Sequence, residues 1–459
     1  KILYLLKFVH DINRYHNLKR MHLISNINFF KKNFLSIVLA LVPFSFIAGN
    51  MIININIIML ILSTILIANR RLLNIKFHLF DILLITFFFL IIFTGLINDI
   101  LVLNKLSWGT DYATTIRSVL FLKYLLLYLT VRCLIEKELI KIKYFFITSS
   151  LASIFVCFDI FYQFIYGVDI FGYEIIPGFR KLGGPFGDEL IAGGFIQRFS
   201  ILSFFVLPIF FIKNAQNYIK YLIPVLFFIF FVGIILSGNR MSLLLFLLIV
   251  FLILIFQKQA RKYFFSFLII FPIIFVIIYN SNPKVKYNFI NFYGQITKIV
   301  SIPFKGNFNK EEAPQYLEEF STFYETWKIN KYIGGGIKSF RYYCHVRQNI
   351  NKDSKFVCNM HPHNYYLEIL TETGLIGFII VTIIFFMSLY LSFFKKYISK
   401  SKLSSNNVII PFIFLFFIEF FPLKSTGSFF TTGNATYIFL ILAILIGLVR
   451  KDNSIENKN

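Results

Sequence analysis

Long apolar runs recur along almost the whole sequence, and they constrain the fold more than any other feature. An α-helix needs about 20 mostly apolar residues to cross the roughly 30 Å hydrocarbon core of a bilayer. Runs that approach this length lie at 34–49, 51–68, 79–97, 114–133, 144–165, 189–212, 221–238, 241–256, 264–280, 374–394, 408–421 and 435–449. Hydrophobic residues make up 57% of the chain, which is more than a soluble domain uses. The sequence therefore predicts an all-α fold, a polytopic bundle of about twelve transmembrane helices.

The basic residues between these runs are unevenly distributed, and they predict how the bundle is oriented. Lys and Arg concentrate in alternate connecting segments, at 70–76, 132–143, 213–220, 258–262, 395–402 and 450–451. Because the cytoplasmic loops of membrane proteins carry an excess of Lys and Arg, we expect both ends of the chain on the cytoplasmic side. The net charge of +24 then indicates contacts with anionic membrane lipids, not with nucleic acid.

This topology divides the chain into five parts. They are a basic cytoplasmic segment at 1–33, nine spans within 34–280, a large periplasmic loop at 281–373, three spans within 374–449 and a cytoplasmic tail at 450–459. A loop as long as 281–373 usually carries function. An active site in this loop would lie on the outer side of the membrane.

The large loop contains one segment with helical periodicity. Leu317, Phe320, Tyr324 and Trp327 are three or four residues apart and so fall on one face of a helix. Three consecutive glycines at 334–336 predict where this helix stops. We expect the helix to lie on the membrane surface or to pack against the bundle.

Four cysteines divide into two pairs. Cys133 and Cys157 fall in predicted spans, where a free cysteine behaves as a small core residue. Cys344 and Cys358 both fall in the large loop, where they could form a disulfide in an oxidising compartment or stay as free thiols. A zinc site is a third alternative, for which the ligands would be these two thiolates with His345, His361 and His363.

Polar residues cluster in four segments near the predicted outer boundary of the membrane. The candidate substrate-binding residues among them are Arg180, Asp188, Glu189 and Arg198 in "GFRKLGGPFGDELIAGGFIQR", Arg341 in "FRYYCH", and Asn364 in "HPHNYYLEILTETG". The candidate catalytic residues are Arg240 in "SGNRMSLLL" and His363 in "HPHNYYLEILTETG". The sequence contains no Walker A motif and no G-x-S-x-G elbow, so ATP-driven transport and serine hydrolysis lack support.

Arg240 is notable because it opposes the charge distribution of the other loops. It lies in a short outside turn with Ser237, Gly238 and Asn239, next to the start of the following span. Backbone N–H groups at a helix N-terminus favour an anion, and an Arg fork can bind two phosphate oxygens at once. The alternative is an Arg that reaches the lipid headgroups.

His363 carries the second functional prediction. A neutral imidazole can serve as a general base near pH 7, and Asn364 could hold a substrate hydroxyl. Glu368 and Glu372 share one side of the following helix, where one could orient an imidazole or both could simply face water. Four further ionisable residues lie at or within spans, and each is either a functional candidate or part of an intrahelical pair: Asp81, Lys123, Asp159 and Glu419.

Taken together, these motifs resemble the O-antigen ligase/polymerase superfamily of bacterial envelope glycosyltransferases. "HNYYLEILTETG" is similar to the family's H-x10-G pattern, from His363 to Gly374, and "RMSLL" to its R-x3-L pattern, from Arg240 to Leu244. The segments "GGPFGDELIAGGF" and "FPLKSTGSFFTTGNA" resemble the family's regions before its middle spans and before its last helix. The order of loops also fits, since the large loop directly precedes the histidine motif.

The resemblance implies a transfer of glycan from undecaprenyl pyrophosphate to an acceptor sugar on the periplasmic face, with no metal and no cofactor. Ligases of this family use lipid A–core as the acceptor, whereas polymerases use a lipid-linked repeat unit. Carried over to this chain, Arg240 would bind the donor pyrophosphate and His363 would deprotonate or orient the acceptor hydroxyl.

One departure leaves both activities open. Many ligases carry a further Arg in the large loop, and the comparable stretch "YLEEFSTFYETW" has none. Arg341, Arg180 or Arg198 could compensate. Two functions of other classes also remain as hypotheses, a transporter of lipid-linked glycan and a non-catalytic scaffold for envelope assembly.

Overall fold

The structure is a computed structural model of the chain. It describes residues 31–67, 75–103, 112–175, 181–210, 212–257, 271–305, 315–346, 358, 363–398, 408–422, 424 and 427–456. The helices are α1 (Val42–Ile47), α2 (Asn50–Ile67), α3 (Leu79–Asn98), α4 (Ala113–Glu136), α5 (Ile142–Tyr166), α6 (Ala192–Phe199), α7 (Ser203–Phe210), α8 (Ile212–Leu236), α9 (Arg240–Phe256), α10 (Phe271–Ser281), α11 (Pro283–Lys305), α12 (Gln315–Trp327), α13 (Phe340–Val346), α14 (Tyr365–Leu389), α15 (Ile410–Glu419) and α16 (Thr432–Glu456).

The helices follow the apolar runs of the sequence. Within the described residues, seven segments are long and apolar enough to cross a membrane: Asn50–Ile67, Leu79–Leu101, Ala113–Glu136, Ile142–Tyr166, Ala192–Phe210, Tyr365–Ile398 and Thr432–Lys451. Four shorter apolar helices accompany them, at Tyr221–Leu236, Arg240–Phe256, Phe271–Ser281 and Ile410–Glu419. The predicted helical, multi-span membrane fold is confirmed, whereas the count of about twelve spans and the orientation stay predictions.

The last helix, α16, forms the centre of the bundle. Its membrane-spanning part is 78% buried, compared with 28% for the span that begins at Tyr365. A helix that is apolar on all sides is typical of such a position, and the stretch from Tyr437 to Ile446 is buried throughout. Phe439 contacts aromatic rings of α3 and α4, at 5.2 Å from Phe88 and 6.0 Å from Phe121. The two ends of α16 therefore mark the two ends of the bundle.

The helix α14 begins at Tyr365, earlier than residue 374 where the sequence pattern placed the start of the span. Gly374 lies inside this helix with φ of 68°, and the break there interrupts the helical hydrogen bonds. The carbonyl groups of Thr371 and Glu372 accept instead from the N–H groups of Gly335 and Gly336, at 3.1 and 2.8 Å. The loop thus inserts into the break and satisfies backbone groups that would otherwise be unpaired.

The backbone N–H groups that follow the break in α14 also find partners in the loop. The N–H groups of Leu375 and Ile376 donate to the carbonyl groups of Lys331 and Tyr332, at 2.9 and 3.1 Å. A Cβ atom on Gly374 would lie 2.2 Å from the Tyr332 carbonyl oxygen. Only glycine accommodates both this close approach and the positive φ, so the glycine of the H-x10-G pattern is where the large loop joins the bundle.

The loop helix α12 forms as predicted, but it buries a different face. Its buried residues are Glu319, Thr322, Phe323 and Thr326, whereas Tyr324 is 46% exposed. Phe323 stacks on Phe340 with ring centroids 3.5 Å apart, and the Thr371 hydroxyl donates to its carbonyl group at 3.4 Å. Phe320 and Trp327 of the predicted stripe are half-buried, because packing against α13 and α14 determines the buried face. The three glycines serve the contact with α14, since α12 ends before them at Trp327.

Candidate functional site

A buried ionic cluster lies where α14 begins. Arg198 donates to both carboxylate oxygens of Glu419, from Nη2 to Oε1 at 2.6 Å and from Nε to Oε2 at 3.2 Å. The Tyr365 hydroxyl donates to Glu419 Oε1 at 2.9 Å, and Lys424 Nζ lies 2.6 Å from Oε2. Arg198 Nη2 also donates to Asn434 Oδ1 at 2.8 Å. We name these five residues the Glu419 cluster.

The Glu419 cluster carries a formal charge of +1, because Arg198 and Lys424 face one carboxylate. The side chain of Arg198 is 15% exposed, whereas Glu419 is 2% and Lys424 is 7% exposed. Burial lowers the pKa of Lys424 to about 8, although the charge of Glu419 acts in the opposite direction. A partly desolvated excess of positive charge that includes an Arg fork is suited to an anion such as phosphate.

His363 lies in the turn that leads into the Glu419 cluster. Its backbone has φ of 52°, a left-handed conformation that is uncommon for residues other than glycine and is often found at functional sites. The next residue, Asn364, is the N-cap of α14, and its Oδ1 accepts from the N–H groups of Tyr366 and Leu367 at 3.0 and 3.2 Å. The Asn364 amide nitrogen donates to the Pro422 carbonyl group at 3.1 Å.

These contacts show what Asn364 does in the described structure. Both ends of its amide hold the backbone, so it fixes the start of α14 and thereby the turn at His363. Its predicted contact with a substrate hydroxyl stays a prediction. Tyr365 follows directly, so His363 is two positions from a member of the Glu419 cluster.

Arg240 is the first residue of α9, as the sequence predicted, and it follows the turn formed by residues 237–239. Its guanidinium group lies 5.2 Å from the ring centroid of Phe292 in α11. The Asn239 side chain donates to the Leu190 carbonyl group at 3.1 Å, so the turn contacts the segment that opens α6. A small cleft beside Arg240 is lined mainly by apolar residues, among them Val285 and Phe289.

The short helix α6 connects the Arg240 turn to the Glu419 cluster. Gly193 packs so closely on the turn that a Cβ atom would lie 2.4 Å from Ser237 Oγ. Arg198 lies five residues further along α6, which is about 7.5 Å at 1.5 Å per residue. The Gly-rich segment that precedes Arg198 thus serves to bring α6 against the Arg240 turn.

Glu368 and Glu372 are buried, and neither faces water as one alternative expected. The Ser428 hydroxyl and the Phe429 N–H group both donate to the carboxylate of Glu368. The Ser428 carbonyl group accepts in turn from the Asn434 amide at 2.8 Å. Glu368 therefore supports the segment that leads into α16, and through Asn434 it is connected to the Glu419 cluster.

Three other predicted binding residues are exposed and are not among the described hydrogen-bond partners of Arg198. Asp188 and Glu189 are exposed in the turn before α6, and Arg341 is exposed on α13. Nothing places these three among the partners of Arg198. Arg180 and His361 lie outside the described residues, so their predicted roles have no structural account.

Cys344 and Cys358 form a disulfide with a Cα–Cα distance of 5.7 Å. Both thiolates of the zinc alternative are therefore used in the bond. Cys344 is fully buried with Phe323 and Phe340, and Leu367 of α14 packs against them. The disulfide thus attaches the chain five residues before His363 to the small core beside α14.

Asp81, Lys123 and Glu419 pair with side chains of other helices, and not within their own helix as one alternative held, whereas Asp159 binds a backbone N–H group in the loop after its own helix. Asp81 accepts from Arg132 Nη1 and from Arg450 Nη1, each at 2.9 Å, and from the Tyr128 hydroxyl at 2.8 Å. We name these four residues the Asp81 cluster. Two further residues complete the set: Lys123 donates to Asn54 Oδ1 at 2.7 Å, and Asp159 accepts from the Ile170 N–H group at 2.8 Å.

Sequence reasoning named Arg198 and Glu419 separately and did not foresee that they pair, nor that Lys424, Tyr365 and Asn434 complete the cluster. The one available signal was local: Tyr365 is adjacent to the histidine motif, and Lys424 and Asn434 lie in the segment before the last helix. Residues 198, 365 and 419 are far apart in the chain. Their contacts depend on how α6, α14 and α15 pack together.

The fold and this site define a multi-span membrane protein with a cationic cluster beside a histidine at one end of its helices. Residues 225–382 match the family model described as O-antigen ligase. This match confirms, over these residues, the resemblance of the motifs to the O-antigen ligase/polymerase superfamily. The matched region contains Arg240, the large loop, His363 and Gly374. Comparison with curated proteins gave no match.

The match supports a glycosyltransferase-like enzyme of the ligase or polymerase kind, which acts on lipid-linked glycans in general. The match covers residues 225–382, so it contains neither Arg198 nor Glu419. The cluster that these residues form is therefore an observation of the structure alone.

Proposed function

We propose that this protein transfers glycan from undecaprenyl pyrophosphate to an acceptor sugar at the periplasmic face of the bacterial inner membrane. One observation carries the proposal: a cluster of charge +1 lies beside the turn that holds His363 in a left-handed conformation. A pyrophosphate group needs cations, and the acceptor hydroxyl needs a base or an orienting group. The site offers both within a few residues of each other.

In this reaction the bond between the anomeric carbon and the pyrophosphate oxygen breaks, and the leaving group keeps the electron pair. Arg240 and Arg198 would stabilise the negative charge that develops on that oxygen. Such electrostatic stabilisation by fixed groups is usually the largest single contribution to catalysis. A new bond forms between the acceptor oxygen and the anomeric carbon. The hydroxyl proton passes to His363, for which a neutral imidazole is suited near pH 7.

The polyprenyl tail of the donor requires contact with the bilayer. Many apolar side chains on the outer faces of the helices are exposed, for example Phe89 at 64% and Phe386 at 63%. Such a surface matches hydrocarbon, so a lipid-linked donor could approach from the membrane with its headgroup at the level of the Glu419 cluster. This route needs no soluble carrier for the donor.

The acceptor distinguishes two versions of the proposal. We favour ligation to lipid A–core, and polymerisation onto a second lipid-linked repeat unit is the alternative. Arg341 is exposed on α13 in the large loop, outside the stretch 316–327 that is comparable to the Arg-bearing stretch of many ligases, and it would compensate for that Arg. This is the feature that favours the ligase version.

The test is a reaction of purified protein in detergent with a defined undecaprenyl-pyrophosphate-linked glycan and candidate acceptors, followed by mass spectrometry. We expect transfer without a membrane gradient, and we expect His363→Ala to lower the rate by about 10²- to 10⁴-fold. His345→Ala is the matched control, since His345 is an exposed histidine of the same loop. Equal rates for His363→Ala and His345→Ala would contradict the role of His363.

A second measurement separates ligase from polymerase. Lipopolysaccharide from cells that carry His363→Ala is run on a gel beside the wild type. Loss of all O-antigen from the core indicates a ligase, whereas a core with a single repeat unit indicates a polymerase. A transporter would instead show no transfer in detergent and would depend on a gradient across the membrane.

A further inference from the structure

We propose that Glu419 is a positioning residue of the transfer site, which fixes the cations that bind the donor relative to the turn that carries His363. The proposal rests on the glycosyltransferase function proposed above. It assigns to Glu419 no contact with the reacting atoms. Its role would be to set the geometry of Arg198, Lys424 and Tyr365.

Four separate segments of the chain meet at the carboxylate of Glu419. Glu419 is the last residue of α15, and it binds Arg198 near the end of α6, Tyr365 at the start of α14 and Lys424 in the segment after α15. Asn434 at the start of α16 joins the same group through Arg198.

Each carboxylate oxygen of Glu419 has two partners. Oε1 accepts from Arg198 Nη2 and from the Tyr365 hydroxyl, while Oε2 accepts from Arg198 Nε and pairs with Lys424 Nζ. The side chain is 2% exposed. A carboxylate that is saturated and buried in this way has no position left for a proton from the acceptor, which is why we assign it to positioning.

Tyr365 connects Glu419 to the turn that carries His363. The Tyr365 ring is held between Phe420 and Phe429, with ring centroids 6.3 and 5.5 Å away. Its hydroxyl can therefore reach Glu419 in only a narrow range of positions of the α14 start. Because Asn364 and His363 immediately precede Tyr365, the same bond limits how far the His363 turn can move away from Arg198.

Positioning by a carboxylate has a consequence that can be measured. Glu419 competes with phosphate oxygens for Arg198 and Lys424, so it lowers the affinity for the donor while it improves the geometry of the site. Removal of its charge should therefore lower turnover without weakening donor binding. A residue that only stabilises the fold would lower both, in proportion to the folded fraction.

The experiment compares Glu419→Gln with the wild type. Gln keeps the shape but places an N–H₂ group where an oxygen accepted two donors. We expect the dissociation constant of undecaprenyl pyrophosphate, measured on the full chain in detergent, to stay the same or to fall by about threefold. We expect kcat per folded molecule to fall by about 10- to 100-fold, the loss typical of a misplaced reacting group.

Asp81→Asn is the matched control, because Asp81 is also a buried carboxylate shared by two cations. We expect it to lower the melting temperature and to leave kcat per folded molecule and lipid affinity unchanged. The proposal is overturned if Glu419→Gln keeps the kcat of the wild type, or if it weakens binding of undecaprenyl pyrophosphate.

Tyr365→Phe decides the matter if Glu419→Gln does not fold. It removes only the hydroxyl that reaches Glu419 and keeps the packed ring, so we expect a severalfold loss of kcat with unchanged lipid affinity. A wild-type kcat for Tyr365→Phe would overturn the proposal. The glycosyltransferase function fails separately, if wild-type protein that binds undecaprenyl pyrophosphate transfers no glycan to any acceptor.

Discussion

The Asp81 cluster and the Glu419 cluster lie at opposite ends of α16 and are built from similar parts. Each joins one buried carboxylate to two cations, and each includes a tyrosine hydroxyl that donates to the carboxylate. Asn434 and Arg450 belong to the two clusters and are 16 residues apart in α16, which corresponds to about 24 Å. The two clusters carry the same formal charge of +1.

Exposure does not separate them clearly. The cations of the Asp81 cluster are 1% and 10% exposed, and those of the Glu419 cluster are 15% and 7% exposed. The difference lies in what surrounds each carboxylate. Asp81 also accepts from the His78 N–H group at 2.9 Å and so caps the start of α3. Its partners Arg132 and Arg450 both lie on long helices.

The Glu419 cluster has different neighbours. Arg198 comes from the short helix α6, Lys424 from a segment outside the helices, and Tyr365 from the start of α14 beside His363. A cluster whose members belong to helix ends and loops can change its geometry when a ligand binds. The comparison teaches that the same ion chemistry occurs in two settings: between long helices at one end of α16, and among helix ends and loops, where we propose the donor site, at the other.

Asp81→Ala tests the comparison with the largest expected effect. It leaves Arg132 and Arg450 buried without their carboxylate, and we expect a loss of about 3–5 kcal/mol in the free energy of unfolding. Thermal unfolding in detergent measures this loss. Transfer per folded molecule should stay near that of the wild type, and the comparison breaks if transfer is abolished while the protein remains folded.

Gly374→Ala tests the part of the molecule where the large loop inserts into α14, away from the Asp81 cluster. The φ of 68° and the 2.2 Å approach of a Cβ atom to the Tyr332 carbonyl oxygen predict a cost of about 1–3 kcal/mol. In this variant, the backbone amides of residues 331–336 should exchange their hydrogens faster than in the wild type, whereas the amides around Asp81 should exchange at the same rate. Gly294→Ala is the control, because nothing lies within 4 Å of a Cβ atom there. Equal exchange in the two variants would speak against the inserted loop.

Lys424 gives the smallest expected effect, a dependence on pH that only the Glu419 cluster should show. Its pKa is lowered from 10.5 to about 8 by burial, while Glu419 raises it and Arg198 lowers it. As pH rises through about 8, Lys424 loses its proton and the charge of the cluster falls from +1 to zero. We expect affinity for undecaprenyl pyrophosphate to fall a fewfold above pH 8, and Lys424→Arg to remove this dependence because Arg stays protonated.

The same pKa shift affects stability with the opposite sign. The pKa of Lys424 is lower in the folded state than in the unfolded state, so the unfolded chain binds more protons between pH 8 and 10.5. Stability should therefore rise with pH in this range while donor affinity falls. Affinity that is flat from pH 7 to 9 in both wild type and Lys424→Arg would show that Lys424 does not contribute charge to the donor site.

The sequence predicted those parts of the site that depend on neighbouring residues. Apolar runs of sufficient length define the spans, and the start of α9 at Arg240 and the turn before α14 at His363 follow from local motifs. The sequence pattern placed the start of the span at residue 374, whereas α14 begins at Tyr365, because residues 365–373 mix polar and apolar side chains. The polar ones are satisfied by contacts, such as those of Glu368 with residues 428 and 429.

The sequence by itself determined the class of protein, the course of most apolar helices and the two motifs that resemble the O-antigen ligase/polymerase superfamily. These are properties of apolar length and local spacing, which need no knowledge of distant contacts. Only the tertiary structure decided that Arg198, Tyr365 and Glu419 form one cluster, and that Gly374 opens α14 to the large loop. The reason is physical: buried charges and broken helical hydrogen bonds must find partners, and those partners come from helices that the linear sequence places far apart.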